Sequence, residues 1–348
     1  MRAGAGTNAP PAISGSPALW QEAYRGASVL VTGGLGFIGS SLAHRLVELG
    51  AQVTLVDSLI PAYGGNLWNI RGIEDRVRVN ITDIRDPHSM SWLVRDQQYL
   101  FNLAGQVSHV DSMRDPETDL DINCRAQLSI LEACRRNNPK IRIVYASTRQ
   151  QYGRPQYLPV DENHLLQPVD VNGINKMAGE WYHILYSRVH GIPTTSLRLT
   201  NTYGPRMLLK HDRQGFVPWF VRLALLGEEI RIFGDGTQRR DLNFIDDAVE
   251  ALLMVGPAPE TIGEIYNLGH PEVVSLLDFT KALVAVCPGS RYRLVPFPAD
   301  AKIIDIGDYY GSFAKIRAAI GWEPRTNLAE GLARTVAYYR DNLAPYLE

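Results

Sequence analysis

Thr32-Gly-Gly-Leu-Gly-Phe-Ile-Gly39 places glycines at positions 33, 36 and 39. It follows a short apolar run, Val29-Leu-Val-Thr32, that reads as a buried strand. It leads into Phe37, Ile38, Leu42, Leu46 and Leu49 at helical spacing, with Gly50 fitting the C-cap. Gly33 permits a tight turn, Gly36 lets the backbone approach a pyrophosphate, and Gly39 lets helix and strand pack closely. The pyrophosphate then lies on the helix N-terminus, whose free N–H groups include those of the Phe37–Ile38 turn. A second strand, Val53-Thr-Leu-Val56, ends at Asp57, 18 residues after Gly39. A carboxylate there accepts hydrogen bonds from both ribose hydroxyls and repels a 2′-phosphate, so these residues predict NAD rather than NADP. The following Ser58-Leu-Ile offers no arginine to hold such a phosphate. A glycine pattern alone could be a simple turn. Its place between strand and helix, with the acid after the second strand, makes it a dinucleotide site.

Further strands are predicted over 76–80, 99–104 and 141–147, with a helical stretch over 117–136 between the last two. Alternating strands and helices imply an α/β fold of the Rossmann type, a doubly wound parallel sheet with helices on both faces. After about residue 200, prolines at 205, 218, 257, 259, 271, 288, 296 and 298 punctuate shorter elements. That pattern suits a smaller C-terminal α/β lobe over the sheet's C-terminal edge, where ligands of open α/β sheets bind. The expected division is a disordered tail over 1–25, an NAD-binding domain over 26–200 plus returning segments, and a mainly substrate-binding lobe over 201–348.

The 348 residues are 45% hydrophobic and 21% charged, with a formal net charge of -2. That balance gives no electrostatic footprint for nucleic acid or an acidic membrane. No apolar run approaches the roughly 20 residues that span a bilayer. Met1 to Pro17 is rich in Gly, Ala, Pro and Ser and lacks the apolar core of a signal peptide. Cys124 and Cys134 fall on one helix about 15 Å apart, too far to bridge. With Cys287 they read as reduced thiols of a cytoplasmic protein, and none has metal-ligand spacing.

The Gly-x-x-Gly-x-x-Gly spacing resembles that of the extended short-chain dehydrogenase/reductase family, whose members include NAD-dependent nucleotide-sugar epimerases and dehydratases. Thr82-Asp83-Ile84-Arg-Asp86 is similar to the family's adenine-contacting Asp-Ile segment. Asn102-Leu103-Ala104-Gly105-Gln106 is similar to the stretch that runs beside the cofactor, and Asn123 to the helix asparagine that steadies the central sheet. The resemblance spans roughly residues 27 to 340.

It also supplies expectations for the reaction centre. Val144-Tyr-Ala-Ser-Thr148 ends a strand before Tyr152-Gly153, and the resemblance implies that Thr148 hydrogen-bonds the sugar hydroxyl to be oxidised. Sugar 4,6-dehydratases carry Asp-Glu after this threonine as acid and base. Arg149 and Gln150 stand here instead. A guanidinium is no acid near neutral pH and an amide does not titrate, which counts against dehydration.

Asn172-Gly-Ile-Asn-Lys176 resembles the catalytic helix, which carries Tyr-x-x-x-Lys in the family. Lys176 retains the implied contact with the nicotinamide ribose. Asn172 has no proton to titrate, and a positioned acid–base group contributes roughly 10²–10⁴-fold. The claimants for that role are Lys176, then His109 and Asp111 in Ser108-His-Val-Asp-Ser112 on the loop after the fourth strand, then Tyr152 and Tyr203. Asp170 is expected to cap the helix.

Arg198-Leu-Thr-Asn-Thr-Tyr-Gly-Pro205 and Gly234-Asp-Gly-Thr-Gln-Arg-Arg-Asp241 resemble two signatures of nucleotide-sugar members. They imply that Asn201 and Arg240 hold the diphosphate-linked sugar, with Ser108, Thr148 and Arg149 nearby. Asp305 stands where the family commonly has a second diphosphate arginine, and Lys210, His211 and Arg213 could compensate. Asp246 and Asp247 read as the acidic first turn of a helix.

The combined expectation is NAD-dependent epimerisation of a nucleotide diphosphate sugar through a keto intermediate, at carbon 4 as commonest in the family. A nucleotide-sugar dehydratase or uronate decarboxylase is the second reading. A binding protein without turnover is the third. Helices 117–136 and 172–190 resemble those that pair in family homodimers.

Overall fold

The structure, a computed structural model, describes residues 18–297 and 306–347. The chain opens with α1 (Ala18–Glu22), β1 (Ser28–Thr32), α2 (Phe37–Glu48), β2 (Gln52–Asp57), β3 (Val77–Ile81), α3 (Pro87–Leu93) and β4 (Tyr99–Asn102). It continues through α4 (His109–Arg114), α5 (Pro116–Leu120), α6 (Ala126–Asn137), β5 (Arg142–Thr148), α7 (Val171–His190), β6 (Thr194–Leu199) and β7 (Asn201–Tyr203). Then come α8 (Phe216–Leu225), β8 (Glu229–Phe233), β9 (Arg239–Phe244), α9 (Ile245–Val255), β10 (Ile265–Asn267), β11 (Val273–Ser275), α10 (Leu276–Val286) and β12 (Arg291–Val295). Two helices, α11 (Ala314–Ile320) and α12 (Leu328–Asn342), complete it.

The main sheet has seven strands in the order β10-β6-β5-β4-β1-β2-β3, all parallel. Central strands such as β1 are near-continuous apolar runs because helices cover both faces, and Val29, Leu30 and Val31 are fully buried, whereas the edge strand β3 is largely exposed. The order reverses at β1, which pairs with both β2 and β4, and a crevice opens at that switch point. This is the Rossmann-type α/β fold that the sequence predicts. Residues 201–297 add a three-stranded sheet, β11-β9-β7, and a two-stranded one, β12-β8, while β10 returns to extend the main sheet. That return explains why the sequence after 200 reads irregularly: its strands serve three sheets.

Part of the segment expected as a tail over 1–25 is folded. Residues 18–22 form α1, and Tyr24, fully buried, donates its hydroxyl to Leu253 O at 2.7 Å. The rest of the expected tail, and Asp305, lie outside the described residues.

One continuous rod from Pro116 to Asn137 replaces a uniform helix. Its middle, Asp121–Arg125, is a single π turn. Such turns bulge inside helices, often at functional sites. All three cysteines are free thiols. No helix among the described residues is long and apolar enough to cross a membrane.

Candidate active site at the sheet's C-terminal edge

The glycine loop is built by close approach. A Cβ on Gly39 would sit 2.1 Å from Gly33 O, and one on Gly33, which has φ +67, would sit 3.0 Å from the Ala104 backbone. Gly36 is different, since a Cβ there meets only Gly33 O at 3.3 Å and the protein nearly tolerates it. Its need for glycine comes from what lies on the open side, which suits a pyrophosphate seated on the start of α2.

Asp57 closes β2 and faces this loop. Its Oδ2 accepts from Leu35 N at 3.0 Å and its Oδ1 from Leu59 N at 2.9 Å. Burial raises its pKa against these N–H groups. Each oxygen keeps a lone pair, so a ribose hydroxyl can still be bound.

Gly33, Gly36, Phe37, Ile38, Gly39, Asp57, Ser58, Asp83, Ile84, Leu103, Ala104 and Gly105 line one cleft. Thr148, Asn172, Lys176 and Asn201 line the same cleft. The glycine cradle, the acid at the end of β2 and the lysine of α7 therefore fit NAD, and Thr148 lines the same cleft.

Lys176 is held by its Nζ, which donates to Ala146 O at 2.6 Å and lies 4.4 Å from the Tyr145 ring centre. Burial lowers its pKa to about 8, with Asp119 and Glu180 opposing. The ammonium is thus poised to lose a proton near neutral pH. The helix that carries it is fixed by a buried ion pair, Glu180 with Arg198, at 2.6 Å.

Asn172 is spoken for. Its Nδ2 donates to Gln106 O at 2.7 Å and to Asp119 Oδ2 at 2.9 Å. Asp119, fully buried, also accepts from Asn123 Nδ2 at 3.0 Å and Asn175 Nδ2 at 2.8 Å. Three amides from two helices thus satisfy one buried carboxylate, as burial of a charge requires. Asn123 itself lies behind Gly105, where a Cβ would come within 2.8 Å of its Oδ1.

Several expected site residues stand back from the cleft. His109 begins α4 rather than lying on a loop, and bonds Asp170 through Nδ1 and Gln150 through Nε2. Asp111 receives both its hydrogen bonds from Arg213 Nη1, at 2.9 and 2.8 Å, which also engages Arg213. Ser108 is buried and caps α4 by accepting from Asp111 N at 3.1 Å. Arg149 donates to Asn201 Oδ1 at 3.3 Å and sits 4.8 Å from the Tyr309 ring, and burial lowers its pKa. Arg240 bonds two backbone carbonyls, Arg239 O at 2.8 Å and Gly307 O at 2.5 Å.

The two tyrosines do not turn inward. Tyr152 donates to Asn267 Oδ1 at 2.7 Å and accepts from Arg198, with burial pushing its pKa up to about 12. Tyr203 is buried against Phe244 and likewise raised. Asp170 caps α7 as expected, accepting from Gly173 N at 2.7 Å.

Other parts of the cleft were not foreseen. Gln106 and Val107 line it, as does the run Gln214-Gly215-Phe216-Val217-Pro218 that opens α8. The only sequence signal for that run is a glycine before an apolar helix with proline in its first turn.

Fold and site together define a dinucleotide-binding protein of the short-chain dehydrogenase/reductase class, with NAD as its cofactor. Residues 29–269 match the NAD dependent epimerase/dehydratase family, and the chain belongs to that family. It is 30% identical over 315 residues to a UDP-glucose 4-epimerase of Mycolicibacterium smegmatis, covering 90% of this chain and 98% of the relative. It is also 30% identical over 328 residues to a dTDP-glucose 4,6-dehydratase of Streptomyces niveus, covering 91% and 94%. Among solved structures, the UDP-glucose 4-epimerase of Thermotoga maritima with UDP-glucose superposes with a TM-score of 0.82 at 30% identity, covering 91% of this chain and 99% of that one.

Proposed function

We propose that this protein epimerises a nucleotide-activated sugar at carbon 4 through a transient keto intermediate. The observation that carries this is one cleft lined both by the glycine cradle and by Thr148 and Lys176, with Arg149 and Gln150 in place of a dehydratase's acid and base. NAD, when held by the glycine cradle, Asp57 and Lys176, would supply the hydride acceptor and donor that the reaction needs. Thr148 orients the reacting hydroxyl. Neutral Lys176 accepts that hydroxyl's proton at Nζ and gives it back when the hydride returns. Asn172 takes no part in proton transfer, because its amide nitrogen is committed to Gln106 and Asp119. Asn201 holds the diphosphate-linked sugar, with Arg149 behind it. Residues 26–200 serve NAD and residues 201–348 mainly the substrate.

The likeness to a dTDP-glucose 4,6-dehydratase keeps dehydration as the second reading. Incubation of the NAD-loaded protein with UDP-, dTDP-, GDP- and CDP-sugars, followed by mass and NMR analysis, separates the readings. Unchanged mass with an inverted centre is the expected result. Loss of water or of carbon dioxide refutes epimerisation, and no conversion across the panel favours a binding protein.

A further inference from the structure

Gln150 lines the cleft, and its Oε1 is buried without a hydrogen-bond partner among the described residues. Buried polar atoms are almost always partnered, so an exception asks for a reason. The other end of the same amide is held. Gln150 Nε2 lies 2.6 Å from His109 Nε2. An amide nitrogen only donates, so His109 Nε2 accepts, and the neutral ring carries its proton on Nδ1. That proton meets Asp170 Oδ2. Asp170 is fixed in turn, since its Oδ1 caps α7 and its side chain is only 2% exposed.

The chain of bonds therefore has one direction, from Asp170 through His109 to Gln150, and it decides which end of the amide faces the imidazole. Turning the amide over would place Oε1 against His109 Nε2, and both ring nitrogens would then need protons. In the observed arrangement the oxygen faces away from the ring. Each bond polarises the next: the carboxylate makes Nε2 a better acceptor, which strengthens the amide N–H bond and leaves Oε1 more negative.

We infer that Gln150 Oε1 accepts a hydroxyl of the bound sugar, and that His109 and Asp170 are positioning residues that keep this oxygen turned toward it. The ligand group is an O–H donor. A carboxylate or ketone oxygen in that place would meet Oε1 lone pair against lone pair. This rests on the reading of the cleft as a nucleotide-sugar site.

Calorimetry on the NAD-loaded protein, with UDP-glucose and UDP as probes, tests it. Gln150→Ala is expected to weaken UDP-glucose about tenfold, the worth of one net hydrogen bond, and to leave UDP unchanged. His109→Phe should do nearly the same. The double variant should be no worse than Gln150→Ala alone, because His109 acts only through Gln150. Additive losses, an unchanged UDP-glucose affinity, or a parallel fall for UDP overturn the inference. Nitrogen-detected NMR of the unliganded protein gives an independent check: neutral His109 protonated on Nε2 overturns it without any ligand. If the unmodified protein binds UDP-glucose no more tightly than UDP while His109 is protonated on Nδ1, the nucleotide-sugar reading has failed and the hydroxyl contact falls with it.

Discussion

Asn172 changes meaning between sequence and structure. In the sequence it is a missing phenol. In the fold it is one of three amide donors to the buried Asp119. Restoring tyrosine would remove a donor from a buried carboxylate and from Gln106 O, at a cost of roughly 1–3 kcal/mol for groups left unsatisfied. Asn172→Tyr is therefore expected to lower the melting temperature without raising turnover, and a strong gain in turnover would show an impaired rather than rewired site. Lys176 makes a second prediction. Burial holds its folded pKa near 8, below its ordinary 10.5, so its neutral form grows as pH rises through about 8. The kcat/KM for epimerisation should climb with pH and level off above about 8, and a flat profile across that range excludes Lys176 as the base. The linkage has the same sign. The unfolded chain holds this proton more tightly, so burial of Lys176 costs stability below about 8, and the cost is relieved between there and 10.5. Both residues were legible as positions, and Lys176 as the first claimant for the proton, but the partners of Asn172 were not, because distant packing decides them.

At the level of elements, α7 shows two faces. One buries Lys176, Glu180 and His183 against the sheet and Asn172 and Asn175 against Asp119 of the adjoining rod. The other leaves Ile174, Trp181, Leu185 and Val189 exposed at helical spacing. Leu120 on the adjoining rod is exposed as well. An exposed apolar stripe suits a partner helix, and the expectation from the resemblance is a second copy of this chain. Trp181→Glu with Leu185→Glu is expected to convert a sedimenting dimer to a folded monomer; an unmodified chain that sediments as a monomer refutes the pairing. The π turn at Asp121–Arg125 was not legible, since an extra residue in a helical turn leaves the apolar periodicity nearly intact. The opening of α8 was not legible either. Its place in the cleft depends on how distant segments pack.

For the whole molecule, the argument concerns what a cleft at the switch point binds. Asp57 and the glycine cradle favour NAD over NADP, so NAD at a hundredfold excess over Kd should stabilise the fold by about 2.7 kcal/mol. A thermal melt should show a rise of a few degrees with NAD and a smaller one with NADP, and Asp57→Ala should remove the difference. Equal shifts from both cofactors would overturn the role of Asp57. The sequence by itself determined the parallel sheet, the cradle, the cofactor and the lysine, because those rest on short spacings, on strands alternating with helices and on glycines that close packing or an approaching ligand requires. Only the tertiary structure decided that Asn172 serves Asp119, that Asp111 is held by Arg213, that Arg240 holds backbone carbonyls, and that His109 orients Gln150 from behind the cleft. Those outcomes turn on hydrogen bonds between residues tens of positions apart, and no local pattern encodes which buried polar groups will meet.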